Sequence, residues 1–274
     1  MHKRRLINRH PSRASAVWLA ALPFVLVAAA YLIGSDMRLD ANPNDKLLPS
    51  LNKIGDTIYR LAFTPDKRSG AYLFWIDTGA SLLRLGAGMA IATLGGLAIG
   101  IAAGLIPYAR AALSPFIAVL SMIPPLAVLP ILFIVFGLGE GAKVVLIVFG
   151  VMPFFMRDMQ LWVQSLPGEQ LIKAQTLGAS SWQVALRVVL PQTMPRLLDS
   201  VRLSLGPAWL FLIAAEAIAS TEGLGYRIFL VRRYMSMDVI LPYVVWITLL
   251  AFVMDFILSW ISRKAFPWSK LGSA

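Results

Sequence analysis

The sequence predicts an all-α polytopic membrane protein with about six transmembrane helices. Of its 274 residues, 58% are hydrophobic and only 14% are charged, and the mean hydropathy is +0.72. These values lie far from those of an ordinary soluble domain. A bilayer core about 30 Å thick needs roughly 20 apolar residues per spanning helix, and the chain contains six apolar runs that approach or exceed this length.

The runs are separated by the segments that carry most of the charged residues. The fourth run is the least apolar, because its hydrophobic character fades at Arg157 and Asp158. The last five runs, within residues 82–262, form one predicted core transmembrane domain, since no low-complexity linker divides them. The predicted spans are, in order, 16–34, 82–106, 113–136, 144 to about 156, 201–219 and 239–261.

The first run follows a positively charged tail, residues 1–15, as the apolar part of a secretory signal peptide would. The run is long, however, and the following letters YLIGSD contain no small-x-small cleavage site. We therefore interpret residues 16–34 as a retained membrane anchor. The polar residues 35–81 are predicted to form an external loop.

The external loop contains one amphipathic pattern. Leu51, Ile54, Ile58 and Leu61 recur at three- and four-residue spacing directly after Ser50, which predicts a short helix. Two interpretations remain open: the helix lies in the membrane interface, or it packs on the rest of the domain.

The distribution of charge indicates the orientation in the membrane. With a cytoplasmic N-terminus, residues 1–15, 107–112, 157–202 and 263–274 lie inside and carry 14 basic and 3 acidic residues. The outer segments, counted together with Arg84 at the start of the second span, carry 11 basic and 9 acidic ones. Such an excess of positive charge is typical of cytoplasmic segments. This topology and contact with anionic lipid explain the net charge of +11 without a nucleic acid partner.

Two spans contain residues that predict special packing. In the second span Gly96, Gly100 and Gly104 recur every four residues, which favours a seam where another helix backbone comes close, although a pathway lining has the same pattern. In the third span, Pro124 and Pro125 predict a kink or break at mid-depth. This bend is either static or lies beside a translocation pathway.

The stretch 166–195 interrupts the apolar spans with alternating polar and apolar residues. It predicts two short helices, with Gly178 as a left-handed stop after the first and Ser180 as the cap of the second. We expect Leu171, Ala174 and Leu177 on one face of the first helix, and Trp182, Ala185 and Val189 on the apolar side of the second. Pro191 and Pro195 are expected to end the second helix. An exposed tryptophan on such a knob favours a partner surface, and packing against its own spans is the alternative.

Residues 176–228 resemble the signature loop and following span of the permease subunits of bacterial ABC importers, in particular the nitrate, sulfonate, taurine and bicarbonate branch. In that family the loop runs Glu-Ala-Ala, three residues, Gly and, after a spacer, Leu-Pro. Gly178 and Leu190-Pro191 stand at this spacing, and Ala174 fills the second alanine position. Ile172 and Lys173 replace the first two family residues, which puts one ion pair with the ATPase in doubt, and Glu169 lies one turn earlier.

The resemblance implies a type I ABC importer permease fold, in which one extra helix precedes a core of about five spans. Residues 166–195, called the coupling loop from here on, would fit into a groove of the ATP-binding subunit. The coupling residues implied in this way are Glu169, Lys173, Ala174, Gly178, Ala179, Ser180, Trp182, Leu190 and Pro191.

The resemblance also implies the partners: two ATP-binding subunits, a second permease subunit that makes a homodimer, and a periplasmic or lipid-anchored solute-binding protein. No phosphate-binding loop of the form G-x-x-x-x-G-K-[ST] occurs in the chain. We therefore expect no cofactor in this chain and expect ATP and Mg to bind the partner ATPase. The expected location is the bacterial cytoplasmic (inner) membrane, with multiple passes and both termini in the cytoplasm.

Charged residues at the outer side are the remaining candidates. Glu216 lies within the fifth span and is predicted to line the pathway together with Pro124 and Pro125, to pair with a basic group, or to reach the outer interface. Asp255 in the sixth span has Arg263 as its expected partner. The outer-loop residues Arg227, Arg232 and Arg233 either dock the binding protein or attract an anion, or are merely solvated.

Other classes of protein fit less well. A secondary transporter or channel without an ATPase would suit six spans with buried acids, but the expected internal repeat is not evident. A membrane enzyme is disfavoured because the two histidines lie in the N-terminal tail and no catalytic or metal-ligand spacing occurs elsewhere; the absence of cysteine excludes disulfides and thiolate chemistry. The cargo stays open between nitrate, sulfonates, taurine, a pyrimidine precursor and urea- or guanidine-like nitrogen compounds.

Overall fold

The computed structural model describes residues 11–43, 45–67 and 70–270, and every element of regular secondary structure in these ranges is helical. Five helices are long and apolar enough to cross a membrane, or six if one bent pair counts as a span, so the predicted fold class is confirmed. The predicted tails lie partly outside the described residues. The helices are α1 (Arg13–Ala41), α2 (Leu51–Phe63), α3 (Leu73–Leu105), α4 (Pro107–Leu120), α5 (Pro125–Phe136), α6 (Glu140–Ser165), α7 (Gly168–Thr176), α8 (Ser181–Val184), α9 (Leu190–Ala219), α10 (Leu224–Arg232) and α11 (Met237–Ala265).

The helices extend beyond the predicted spans. Helix α6 continues to Ser165, past the charged residues Arg157 and Asp158 where its apolar character fades. It can continue because the Asp158 carboxylate is neutralised by Arg196 of α9, at 2.7 Å. Likewise α1 runs on to Ala41 and α3 begins at Leu73, so the external connection is shorter than predicted.

Helices α3 and α6 pack in parallel along the predicted glycine seam. A methyl group added at Gly100 would lie 2.5 Å from Cβ of Met159, and one added at Gly104 would lie 2.6 Å from Cβ of Val163. Gly96 meets Phe155 in the same way. Bare glycine faces let the two backbones approach closely enough for dense van der Waals contact. The packing interpretation of the seam is therefore confirmed.

The third predicted span is broken into α4 and α5, whose axes differ by 97°. Pro124 directly precedes α5 and Pro125 is its first residue. Proline is favoured at this position because the first residues of a helix need no N–H donor. Because α3 and α6 run side by side in the same direction, the end of α3 and the start of α6 lie at opposite ends of the bundle. The α4–α5 pair must therefore carry the chain from one end to the other.

The directions of α9 and α11 define the two ends of the bundle. Helix α9 runs against α6, since Asp158 near the end of α6 pairs with Arg196 near the start of α9. Helix α11 begins level with the start of α3, where Tyr243 Oη donates to Asp77 at 2.9 Å. One end therefore carries the coupling loop and is called the coupling end; the other carries α10 and is called the far end.

Helices α1 and α2 are attached at the far end. Tyr31 Oη donates to the Pro49 carbonyl at 2.6 Å, and the Arg38 guanidinium holds the pKa of the Asp45 carboxyl below its usual range. The predicted amphipathic helix is confirmed as α2, capped by the Ser50 hydroxyl. It is joined to α11 because Thr57 Oγ1 donates to Asp238 at 3.1 Å.

Candidate functional site

The coupling loop turns at Gly178. The residue has a φ of +85°, in the left-handed region that only glycine adopts readily. The N–H of Gly178 donates to the Gln175 carbonyl at 2.9 Å, and the N–H of Ala179 donates to the Ala174 carbonyl at 3.0 Å. These two bonds form a Schellman motif, which satisfies carbonyls at the end of α7. The predicted left-handed stop is confirmed.

A capping box starts the next helix directly after this turn. The Ser180 hydroxyl accepts from the Gln183 N–H at 3.3 Å, and the Gln183 side chain accepts from the Ser180 N–H at 2.9 Å. The predicted cap is therefore confirmed. The turn from α7 to α8 takes only residues 177–180, so the two helices are held in a tightly defined geometry.

The predicted end of the second helix at Pro191 and Pro195 is wrong. Helix α8 passes through a π-helical segment, Ala185–Val189, into α9 without interruption. The wider π turn shifts the hydrogen-bond register, with the Leu190 N–H donating to the Ala185 carbonyl. Pro191 then lies directly after the π turn, at the start of α9, and the helix continues past it.

Side chains of the neighbouring residues satisfy carbonyls in this segment. Gln192 Nε2 donates to the Val188 carbonyl at 3.0 Å, and Thr193 Oγ1 donates to the Val189 carbonyl at 2.7 Å. Helical structure therefore extends from Ser181 to Ala219 as one element of 39 residues. The coupling turn is directly continuous with the fifth span.

The loop packs one apolar face and exposes another. Val184 and Val189 are buried against Val163, and Leu171 and Ala174 cover them. Trp182 is exposed, as predicted, whereas Leu177, which we expected on the same face as Leu171 and Ala174, points outward at the turn. Leu177 is 88% exposed and Trp182 is 71% exposed. With Ile172, which is 60% exposed, they form the surface that we call the coupling patch.

The other implied coupling residues surround this patch. Glu169 lies in the first turn of α7 and Lys173 in the last, the positions that the helix dipole favours for each charge. Both side chains are exposed, Ala179 is half-buried, and Leu190 and Pro191 lie at the start of α9. Lys173 thus presents a positive charge beside the patch, where the family has a small residue.

Glu216 is completely buried in an ion pair at the far end. Its carboxylate accepts from Arg84 Nη1 at 2.8 Å, from the Ser81 hydroxyl at 2.8 Å and from the Gly225 N–H at 2.8 Å. It therefore pairs with a basic group and does not reach the interface. A buried carboxylate is tolerated when a cation and several donors surround it.

Arg84 joins three helices and a loop. It also bonds Glu140 of α6, with Nη2 at 2.9 Å from Oε1, and donates to the Glu222 carbonyl at 2.9 Å. Lys143 neutralises Glu140 at 2.7 Å. We did not predict this role of Arg84 from sequence. A signal was available, since Asp77, Ser81 and Arg84 are spaced by four and three residues and so share one face of a helix.

Arg227 belongs to the same buried network rather than to a free surface. Its Nε is 2.8 Å from Asp77 Oδ2, and the side chain is 15% exposed. Asp77 also accepts from the Gly223 N–H at 2.9 Å, so it fixes the loop before α10. Arg232 and Arg233 are exposed at the end of α10, where Arg232 covers the Phe229 ring at 5.0 Å.

The expected pair between Asp255 and Arg263 is wrong. Asp255 of α11 instead receives two bonds from Arg202 of α9, at 2.8 and 3.1 Å. Arg202 lies in the first half of α9 and faces α11, whereas Arg263 comes two turns later on the same helix as Asp255. Asp255 pairs with a residue of another helix because α9 and α11 are neighbours at the coupling end.

Comparison with known proteins identifies the class. Residues 96–267 match the family model described as "Binding-protein-dependent transport system inner membrane component", and the chain belongs to this family. It is therefore a permease subunit of an ABC importer, as the resemblance of the coupling loop and fifth span implied. The family match supports this class over the secondary-transporter, channel and membrane-enzyme alternatives.

Individual relatives support this assignment. The taurine transport system permease protein TauC of Escherichia coli is 37% identical over 71% of this chain and 70% of its own length. The bicarbonate transport system permease protein CmpB of Synechococcus elongatus is 33% identical over 70% and 69% of the two chains. The nitrate import permease protein NrtB of Leptolyngbya laminosa is 27% identical over 89% and 85%.

The solved structures show the fold. A chain of the inward-facing MetNI methionine ABC transporter superposes with a TM-score of 0.62 at 19% identity, covering 73% of this chain and 99% of that chain. The predicted type I importer permease fold is thus confirmed.

Proposed function

We propose that the coupling patch docks in a groove of a separate ATP-binding subunit, which hydrolyses ATP and drives import. The patch carries this proposal, because the large apolar side chains of Ile172, Leu177 and Trp182 project away from the membrane-spanning bundle and are exposed. Exposed apolar surface of this kind marks protein contacts. ATP and its Mg ion bind the partner subunits, which act as a pair in the complex.

The continuity of α8 with α9 supports transmission of the movement. A helix of 39 residues is about 58 Å long at 1.5 Å per residue. Its start lies beside the coupling turn and its end carries Glu216 in the far-end network. When the ATP-binding subunits close, displacement of the coupling patch tilts this helix and switches the permease between inward-open and outward-open states.

The coupling end faces the cytoplasm in this proposal. Helix α11 ends there with Arg263 and Lys264 in its last turn, and α1 ends at the far end beside Pro49. If α1 crosses the bilayer, both termini are therefore cytoplasmic. The excess of basic residues in the coupling-end segments supports this orientation in the bacterial inner membrane.

A second permease subunit, which we take to be a second copy of this chain, covers the break between α4 and α5. Residues 121–124 at the break are exposed, although the pair must lie within the depth of the bundle. Irregular backbone at membrane depth is stable only against protein or a water-filled cavity. Pro124 and Pro125 therefore lie beside the subunit interface or the pathway.

The cargo is proposed to be a small solute with an oxyanion group, delivered by a periplasmic or lipid-anchored solute-binding protein. The named relatives transport taurine, nitrate and bicarbonate, and a sulfonate, a nitrate and a carbonate share this chemistry. Titration of the cognate binding protein with taurine, nitrate, bicarbonate and guanidinium tests the proposal. Binding of guanidinium alone would assign a nitrogen-rich cation instead.

Docking of the ATPase is tested by Trp182→Ala in the full complex. Removal of a central aromatic anchor weakens protein interfaces by about thirtyfold, so co-purification of the ATP-binding subunit should fall strongly. Trp18→Ala is the matched control, because Trp18 is an equally exposed tryptophan, at 76%, that lies in α1 and outside the coupling loop. Undiminished co-purification with Trp182→Ala, in a variant that reaches the membrane normally, would refute the docking site.

A further inference from the structure

A cavity lined by charged and aromatic side chains opens at the coupling end between α6, α9 and the end of α11. Its volume is about 510 Å³, enough for a lipid headgroup. Side chains from the three helices and from the short 3₁₀ turn Pro267–Lys270 form its walls. The lining residues are Trp162, Gln192, Pro195, Arg196, Asp199, Arg202, Ser259, Ser262, Arg263 and Trp268.

Two of the arginines in this cavity are held in place by carboxylates that do not line it. Arg196 makes two bonds to Asp158, at 2.7 and 3.1 Å, and its guanidinium lies 5.9 Å from the centre of the Trp162 ring. Arg202 is fixed in the same manner by Asp255. Each guanidinium has five N–H donors in a planar fork, so donors remain for a ligand after the carboxylate is bound.

The third arginine, Arg263, is the cation that stays available to a ligand. Within the described part of the chain, no carboxylate lies within ion-pair distance of Arg263. Asp199 is the one acidic residue of the lining and is already engaged by Arg202 at 3.5 Å. Asp158 and Asp255 compensate the charges of Arg196 and Arg202, but the remaining N–H groups of the three arginines face the cavity, and Ser259 and Ser262 add hydroxyl donors. This combination favours an oxyanion.

Aromatic residues indicate the depth of the cavity in the bilayer. Trp162 and Trp268 line it, and Trp260 stands one turn away with the Lys264 ammonium 5.0 Å from its ring centre. Tryptophan and basic residues gather at the level of lipid headgroups. The oxyanion that is most concentrated at this level is the phosphate of a phospholipid.

We propose that this cavity binds the phosphate headgroup of an anionic phospholipid. The lipid headgroup would contact both α9, which is continuous with the coupling turn, and α11, and would so hold the two helices together. The importer would then depend on anionic lipid at the coupling end of its permease. This inference does not rest on the identity of the cargo or on docking of the ATPase.

The test is native mass spectrometry of the delipidated full-length permease titrated with dioleoylphosphatidylglycerol. Arg263→Gln removes the free cation and should weaken binding of this lipid about tenfold, as expected for a lost charged hydrogen bond. Lys264→Gln is the matched control, since it removes the same charge from the adjacent residue, which does not line the cavity. It should change the affinity by less than about twofold.

Three further arms decide between sources of the anion and guard against a misfolded variant. Dioleoylphosphatidylcholine, which has no net charge, should bind more weakly, and millimolar inorganic phosphate should not displace phosphatidylglycerol. Arg263→Lys, which keeps the charge, should retain most of the affinity. Equal losses in Arg263→Gln and Lys264→Gln, equal binding of the two lipids, or displacement by free phosphate would overturn the proposal.

Discussion

Glu216 of α9 and Arg84 of α3 form a buried ion pair, with 2.8 Å between Oε1 and Nη1, at the end of the bundle opposite the coupling loop. The pair is part of a larger network of charged residues. Its members are Asp77, Glu140, Glu216, Arg84, Lys143 and Arg227, with the half-exposed Glu222 at its edge. The far end of the moving helix is thus held by buried charges at Glu216, Arg84 and Asp77, and Glu140 closes the network at its exposed edge.

The first prediction concerns this pair. Glu216→Gln should destabilise the folded permease by about 3 kcal/mol, because it leaves the Arg84 guanidinium buried beside a neutral amide. The measurement is the thermal unfolding temperature of the detergent-purified chain. Glu222→Gln provides the control, since Glu222 is 50% exposed and lies 3.8 Å from Arg84. A shift no larger than that of the control would mean that the pair contributes little to stability.

The second prediction concerns the coupling turn. Gly178→Val should strain the backbone by about 1–2 kcal/mol, because a β-branched residue resists a φ of +85°. Since nothing lies within 4 Å of the added Cβ, this strain is conformational rather than steric. ATP hydrolysis should become uncoupled from uptake in proteoliposomes. Gly178→Asn should keep coupling, since asparagine tolerates this region, and an equal defect in both variants would point to a role other than backbone conformation.

The third prediction concerns the glycine seam. Gly100→Leu should separate α3 from α6 and abolish stable expression, because its Cβ alone would lie 2.5 Å from Cβ of Met159. Gly86→Leu in the same helix meets open space and should be tolerated. The amount of monodisperse protein in size-exclusion chromatography reports both effects. Normal recovery of Gly100→Leu would argue that the two helices can slide apart.

The fourth prediction separates the three arginines of the outer loop. Arg232→Gln combined with Arg233→Gln should weaken capture of the loaded binding protein and flatten its dependence on salt, because both side chains are exposed. Arg227→Gln should instead lower the thermal stability, since it leaves Asp77 buried without its cation. Association rates measured at low and high ionic strength test the first part. Unchanged rates in the double variant would remove these residues from the docking surface.

The sequence was informative wherever a property depends on neighbours along the chain. The apolar runs, the glycine repeat, the prolines at 124 and 125 and the cap of Ser180 with Gln183 each predicted a local feature that the structure contains. The placement of Leu177 was wrong for a physical reason. Its outward direction is set where α7 ends in the turn at Gly178, and helical periodicity within one helix carries no information about that turn.

The sequence by itself therefore determined a helical membrane protein, the break in its third span and the family-specific turn of the coupling loop. Tertiary structure alone decided which charges meet, so that Asp255 pairs with Arg202, and Glu216 with Arg84, across helix interfaces. It also decided that α8 runs on through a π turn into α9 despite Pro191. The physical reason is that pairing of buried charges and the register of a long helix depend on the distance between packed helices, which no spacing along the chain records.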